Sequence, residues 1–511
     1  MSSNVNFYAN DPSATDVSLE QVQYKVEDLP QKWKIQGNSP AVGLYNPGTL
    51  EFQFYQLNQT LYRCVAMWNN IYQNAFKSWS STENLVVIPE LDYRTIADAE
   101  DGFNAYYDRP GGLNFFYDTD DITHKQVYTA ESPDIVAHEC GHAVLDAVQP
   151  DFWNAIYSEI GAFHEAYGDC SAILTTLLDD NVRKAFLRTR VNESNFISRL
   201  AEQMGHALFS RYGRDASSQE SLRDAINEFT YQDPNTLPDR GPDTMLTREV
   251  HSFARVFVGA FYGSFARIYQ VLAQELTDKE QALVKAHDSI GQILASAVLG
   301  STVTPFLYRD VASGMLKADE RLFAGKFRQA INDAFVDKKI LTSPVQSLNM
   351  HSVSGSAKPL SGIEVPENIN EIKSEKFAKR VSEYLGISDS KKLDIGVAKG
   401  LRSNSLIVKG SYDKFKTLKS EAPDLPDEVE AYVPSGFAIL VDTTTKSITS
   451  HSHETDTDTI SHAQSSLRHL VKAKKIYIPK GDEKVDKSKL VALHKPYYLS
   501  EGKRILRAYF A

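Results

Sequence analysis

The sequence predicts an α+β protein with more than one domain. Three observations carry this. Its 511 residues exceed what one ordinary core encloses. Short apolar runs of strand length mark the first third of the chain, and helical periodicities take over after residue 165. A stretch rich in Ser, Gly and Pro spans residues 343–365 and separates a smaller mixed segment. Apolar residues at 42% and charged residues at 24% are those of a soluble globular chain. The net charge of −11 excludes a nucleic-acid footprint. No apolar run approaches the roughly 20 residues of a membrane span.

Along the chain, residues 1–30 are polar and acidic and read as a loose arm. Leu61, Cys64, Val65, Trp68, Tyr72 and Phe76 recur at helical spacing, which predicts a helix over about 57–79. Leu85–Ile88, ended by Pro89, and Leu113–Tyr117, entered through Gly111-Gly112, predict strands. Ser132 and Pro133 stand where an N-cap and a first helical residue belong, ahead of a largely apolar and hence buried helix. Downstream, helices are expected over 172–178, 186–200, 250–276, 281–298 and 321–334. Beyond a boundary near 350, a helix ends at Gly386, strands lie at 406–408, 437–441 and 476–478, a helix covers 461–474, and a hairpin over 497–510 turns at Glu501-Gly502. Three cysteines (Cys64, Cys140 and Cys170) suggest small buried residues rather than a disulfide framework.

The chemistry concentrates in His138-Glu139-Cys140-Gly141-His142 and, one helix later, His164-Glu165-Ala166-Tyr167-Gly168-Asp169. Two histidines four apart share one helix face, so both imidazoles can reach one zinc ion at about 2.0–2.1 Å. Glu139 can act as a base toward water activated by that ion, and a later Glu can complete a three-donor site with an open position. Two His and a Glu inside a buried helix need partners, and a metal supplies them. His451-Ser452-His453-Glu454 has donors for a second metal, but a polar loop is the plainer reading.

At these residues the chain resembles the thermolysin-like metallopeptidases, the gluzincins. His138-Glu139-x-x-His142-x-x-x-Asp146 and Gly161-Ala162-Phe163-His164-Glu165-Ala166-x-x-Asp169 carry the likeness. It covers about residues 35–345 and implies a two-lobed zincin, with a sheet-rich lobe (31–150) and a helical lobe (151–345) meeting at the zinc helix. It implies His138, His142 and Glu165 as zinc ligands, Asp169 as acceptor of the second ring N–H of His138, and His164 as a residue bonded to His142. It implies Glu139 as general base, and His251, Arg223 and Tyr157 (or Trp153) as groups facing the developing oxyanion. Asn104 and Ala105 would hold an extended peptide, and Ile135 and Leu222 would line an apolar pocket for the residue after the cleaved bond. The family's acid five residues before its catalytic His is Leu246 here, with Glu249 or Asp243 as substitutes. Asp134 matches a calcium ligand, but its acidic counterpart is Thr176, which puts calcium in doubt.

The expected function is therefore zinc-dependent endopeptidase action on peptides or proteins. Two alternatives stay open. A catalytically silent binding protein is opposed by the intact Glu139 and favoured by the missing acid before His251. A zinc aminopeptidase would need an anchor for the substrate amine, of which there is no sign in the sequence. Residues 346–365 read as linker and 366–511 as an α+β domain that could target, inhibit or dock. The first residues show no signal core, which suggests a cytoplasmic enzyme or one exported without a cleaved signal.

Overall fold

The computed structural model describes residues 4–14, 18–80, 82–95, 102–109, 111–213, 217–218, 220–342, 363, 365–366, 369–372, 374–384, 394–401, 404–412, 414–453, 456–479, 490, 497–500 and 505–508. The fold is mixed α and β. Strands β1 (Asn4–Phe7) and β2 (Glu20–Gln23) pair as a short antiparallel ribbon. β3 (Lys32–Ile35), helix α1 (Leu50–Tyr72), β4 (Asn84–Leu91), β5 (Ala105–Asp108), β6 (Gly112–Thr119) and β7 (Gln126–Tyr128) follow. Their sheet has the order β3-β4-β6-β5, with β7 pairing the far end of β6 and β5 at the edge.

Helix α2 (Pro133–Val148) packs on α1 and on α3 (Ser158–Thr176). Then come α4 (Asp180–Phe186), β8 (Arg199–Leu200), α5 (Glu202–Tyr212), β9 (Arg223–Asp224), α6 (Val250–Glu275), α7 (Lys279–Gly300), α8 (Leu307–Phe323) and α9 (Arg328–Asp337). By composition alone α6 could cross a membrane, yet 67% of its apolar window is buried in the fold, packed on α3, α7 and α9. The chain ends in α10 (Ile369–Ile372), α11 (Glu375–Tyr384), β10 (Asp394–Lys399), β11 (Ser405–Tyr412), β12 (Phe415–Lys419), β13 (Glu428–Tyr432), β14 (Ser435–Asp442), β15 (Ser447–His453), α12 (Asp456–Lys472), β16 (Ile476–Tyr477), β17 (Tyr497–Leu499) and β18 (Leu506–Ala508).

In the C-terminal sheet β10-β11-β14-β15 the central strands β11 and β14 are buried on both faces. Successive strand residues point to opposite faces. Leu406 and Val408 of β11 accordingly join Phe377 and Val381 of α11, whereas Ile407 and Leu440 belong to the large core that begins in the N-terminal region. This is why both central strands read as continuous apolar runs.

Several expectations change. The N-terminal segment is no loose arm at its start: Val5 and Phe7 are buried, Asn10 donates to Phe196 O at 3.0 Å, and Asp11 lies in the interior. Residues 186–200 are not a helix. The Asn195 carboxamide accepts from the backbone N–H of Ile197 and Ser198, a local turn that competes with helical bonding. Helix α1 starts seven residues before the expected 57, capped by Thr49 accepting from Phe52 N–H. Ser132 holds the N-cap position of α2, but its hydroxyl donates to Asp11 Oδ2 at 2.7 Å instead of capping. Gly386, Glu501-Gly502, Glu454 and most of the linker lie outside the described residues.

Candidate metal centre

Helices α2 and α3 cross closely because the contact is made of glycine. A Cβ on Gly141 would meet Ser171 Oγ at 2.7 Å and Gly168 Cα at 3.0 Å, and one on Gly168 would meet the His138 ring at 2.7 Å. The His138 ring lying against Gly168 leaves no room for a side chain there. The close approach brings Glu165, on α3, under the two imidazoles of α2.

His138 Nε2 and His142 Nε2 lie 3.1 Å apart. Glu165 Oε2 is 3.3 Å from His138 Nε2, and Glu165 Oε1 is 3.6 Å from His142 Nε2. Four donors set tetrahedrally at 2.0–2.1 Å around one ion stand about 3.3 Å from one another. Glu165 is fully buried, yet neither carboxylate oxygen receives a hydrogen bond among the described residues, and Glu139 Oε2 and His142 Nδ1 are equally without one. Unpaired buried polar atoms are costly. The donor set of two imidazoles and a carboxylate thus fits a divalent ion. Glu139 offers an oxygen within 4.8 Å of both rings.

The electrostatics agree. Burial alone would lower the His138 pKa, but the carboxylates of Asp169 and Glu165 outweigh it and push it up to about 10. Burial holds His142 down at about 3 despite Glu165. Burial would raise Glu165, yet His251, His142 and His138 hold it well below the usual carboxylate range. Glu139, buried among these groups, is raised to about 7, chiefly by loss of solvent.

Asp169 accepts from His138 Nδ1 at 2.9 Å, as expected, which directs Nε2 to the cluster. Arg223 departs from expectation. Its Nε and Nη2 clamp Asp169 at 3.0 and 2.7 Å, so it orients the His138 partner. His251 Nε2 lies 3.2 Å from Glu165 Oε2, and its Nδ1 is 2.7 Å from Glu249 Oε1, which identifies the acidic partner. Burial would lower His251, but Glu165 and Glu249 raise it. His251 draws Glu249 down to about 2 against the effect of burial.

His164 stacks on the His142 ring at 5.7 Å and meets Trp153 edge-on at 5.8 Å. Tyr157 sends its hydroxyl to Thr459 O of α12 at 3.4 Å, away from the oxyanion role expected of it. Asp146 does not address the rings. It accepts from Tyr107 OH at 2.9 Å and from Arg109, tying β5 to α2. Glu249 was one substitute for Leu246, whereas no sequence pattern marks Tyr107 and Arg109, which reach Asp146 across 37 or more residues. The Asn104 carboxamide accepts from Ala105 N–H at 2.9 Å. Ile135 is buried and Leu222 half-buried.

The calcium-ligand counterpart Asp134 accepts from Thr176 Oγ1 and from Ala201 N–H, each at 3.2 Å. Asp11 stands beside it and accepts from Ser132 Oγ, Ser13 N–H and Gln203 N–H. These acids are satisfied by the protein itself. No family model matches the chain, and no curated protein matches it at significance.

Proposed function

We propose that the chain is a zinc-dependent endopeptidase of the two-lobed, thermolysin-like gluzincin class. The observation that carries this reading is the triangle of His138 Nε2, His142 Nε2 and the buried Glu165 carboxylate, with edges of 3.1, 3.3 and 3.6 Å. His138, His142 and Glu165 would hold zinc, which when bound supplies a Lewis acid that polarises a carbonyl and acidifies water.

The chain's own residues do the rest. Glu139 takes a proton from the attacking water on its carboxylate and passes it to the leaving amine nitrogen. His251, charged through its bond to Glu249, donates from Nε2 to the oxygen that becomes negative. Arg223 and Asp169 hold the His138 ring. The outer edge of β5 accepts an extended peptide by strand addition near Asn104 and Ala105. Ile135 and Leu222 form an apolar wall for the residue after the cleaved bond. Glu249 beside His251 supports catalysis over a silent binding protein, because it supplies an acid where Leu246 offers none.

Elemental analysis of the purified full chain, paired with peptide hydrolysis by the wild type and Glu139→Gln, tests the proposal. Both proteins are expected to retain zinc, and the substitution to lower kcat by at least about 10²-fold. A metal-free wild type, or activity that survives the substitution, would reject it.

A further inference from the structure

We infer that helix α12 of the C-terminal region holds Glu249 in place and so aims His251, and that His469 is the positioning residue through which it acts. This rests on the peptidase reading above and gives the C-terminal region a part in the reaction. The starting point is the segment before α6. Residues 237–249 contain no helix or strand, and Pro238, Gly241 and Pro242 punctuate them. Yet this segment delivers Glu249, whose Oε1 lies 2.7 Å from His251 Nδ1. An acid that orients a reacting imidazole from an irregular segment needs a rigid support.

The support comes from α12. His462, Ser465, His469 and Lys472 follow one another at steps of three and four residues and so share one face of the helix. That face grips the segment at two points. Asn235 Nδ2 donates to His462 Nδ1 at 3.3 Å, and Ser465 Oγ donates to Asn235 Oδ1. His469 Nδ1 lies 2.5 Å from Asp239 Oδ1, and Lys472 Nζ lies 3.0 Å from Asp239 Oδ2. The helix is itself fixed. Ala463, Leu467 and Leu470 belong to the large core, and His462 meets Phe306 edge-on at 4.9 Å.

From Asp239 the path to the site is short. Its neighbour Pro238 accepts from the backbone N–H of Arg248 at 3.0 Å, and Arg248 precedes Glu249. Leu246, Thr247 and Arg248 are buried, and Thr247 N–H donates to Ser252 Oγ at 3.0 Å, which pins the stretch against the first turn of α6. Moving Asp239 therefore moves the Pro238–Arg248 bond and with it the carboxylate beside His251.

Of the two grips on Asp239, His469 is the firmer. It is 9% exposed, whereas the Lys472 side chain is 80% exposed. An ion pair in open solvent contributes little. Burial and the nearby Arg248 cation hold the His469 pKa down to about 4, so near pH 7 the ring is a neutral N–H donor to Asp239. The amide nitrogen of an asparagine can replace such a donor.

Steady-state hydrolysis by the zinc-loaded full chain tests this in the wild type, His469→Ala, His469→Asn and Asp239→Ala. Both alanine variants are expected to lower kcat at least about tenfold with KM within about twofold, because the lost contact aids only the transition state. His469→Asn is expected to recover most of that loss. A His251→Ala background supplies a readout that packing alone would not move. Because His469 acts through His251, adding His469→Ala there is expected to cost no further kcat, whereas independent losses multiply. Hydrogen exchange of the full chain reads the same contact without turnover. Amides of residues 245–252 are expected to exchange at least about tenfold faster in His469→Ala, with those of α2 and α3 as in the wild type. That pattern supports the positioning even if the wild type cleaves nothing, an outcome that would count against the peptidase reading alone. Multiplying losses, a loss carried by KM, His469→Asn as impaired as His469→Ala, or unchanged exchange over 245–252 would overturn the inference.

Discussion

Two clusters of buried acids are assembled against the same helix, α2, and behave in opposite ways. At the start of α2, Asp11 and Asp134 are surrounded by donors: Ser132 and Thr176 hydroxyls and the N–H groups of Ser13, Ala201 and Gln203. Further along α2, Glu139 is just as buried, as is Glu165 of α3, whose oxygens face the imidazole nitrogens of His138, His142 and His251 rather than backbone or hydroxyl donors. Burial and charge are common to both. What separates a structural acid cluster from a candidate ion site is whether the protein satisfies the oxygens itself. The pKa directions follow: burial raises Asp11 and Asp134, whereas the surrounding imidazoles overcome burial and lower Glu165.

The sharpest break of this contrast is Glu165→Gln. It keeps the shape but removes the anionic donor, and the expected result is loss of bound zinc together with a fall of at least about 10²-fold in hydrolysis. Asp134→Asn, by contrast, should leave the zinc content unchanged; equal zinc loss in the two variants would erase the distinction. Next in size is Gly168→Ala, whose Cβ would press on the His138 ring. A stability loss of about 1–3 kcal/mol is expected in denaturant melts, with zinc held more weakly. Asp11→Ala strands the Ser132 hydroxyl and two backbone N–H groups, so a loss of about 1–3 kcal/mol is expected at full zinc occupancy. Added calcium should not restore it, because no ligand set for calcium is proposed there.

The smallest effect is a pH slope. Asp134 and Asp11 have folded pKa values raised above the ordinary 3.8. Between the unfolded and folded values the native state binds more protons, so their contribution to stability is present below pH 3.8 and is lost as pH rises through the folded values. Asp134→Asn should flatten that decline, read as melting temperature against pH. A decline as steep as in the wild type would show that the pair does not titrate as its burial implies.

Much of the candidate centre was legible in the residue order. His138, Glu139 and His142 are held together by helical spacing, and Glu165 and Asp169 by the same rule one helix later. The partners that complete the site were less legible. Leu246 stands where an acid was sought, and Glu249 does the work because the N-terminus of α6 turns its side chain back onto His251 while also capping Ser252 N–H. Arg223 was visible, but its aim at Asp169 was not. Asp146 was visible as part of a motif, while its partners Tyr107 and Arg109 arrive from a strand 37 or more residues earlier. The helix expected over 186–200 failed for a local reason, an Asn195 turn that apolar periodicity does not register.

The sequence by itself determined what short-range geometry controls: the α and β segments with strong periodicity, the buried helix, and the pair of imidazoles on one face. Only the tertiary structure decided which buried acids the protein supplies with hydrogen bonds, where Asp11 goes, and that Leu490 packs on Tyr106 and Phe116. Hydrogen-bond satisfaction and burial are properties of the whole surroundings of an atom. Residues hundreds of positions apart supply those surroundings, and no local pattern encodes them.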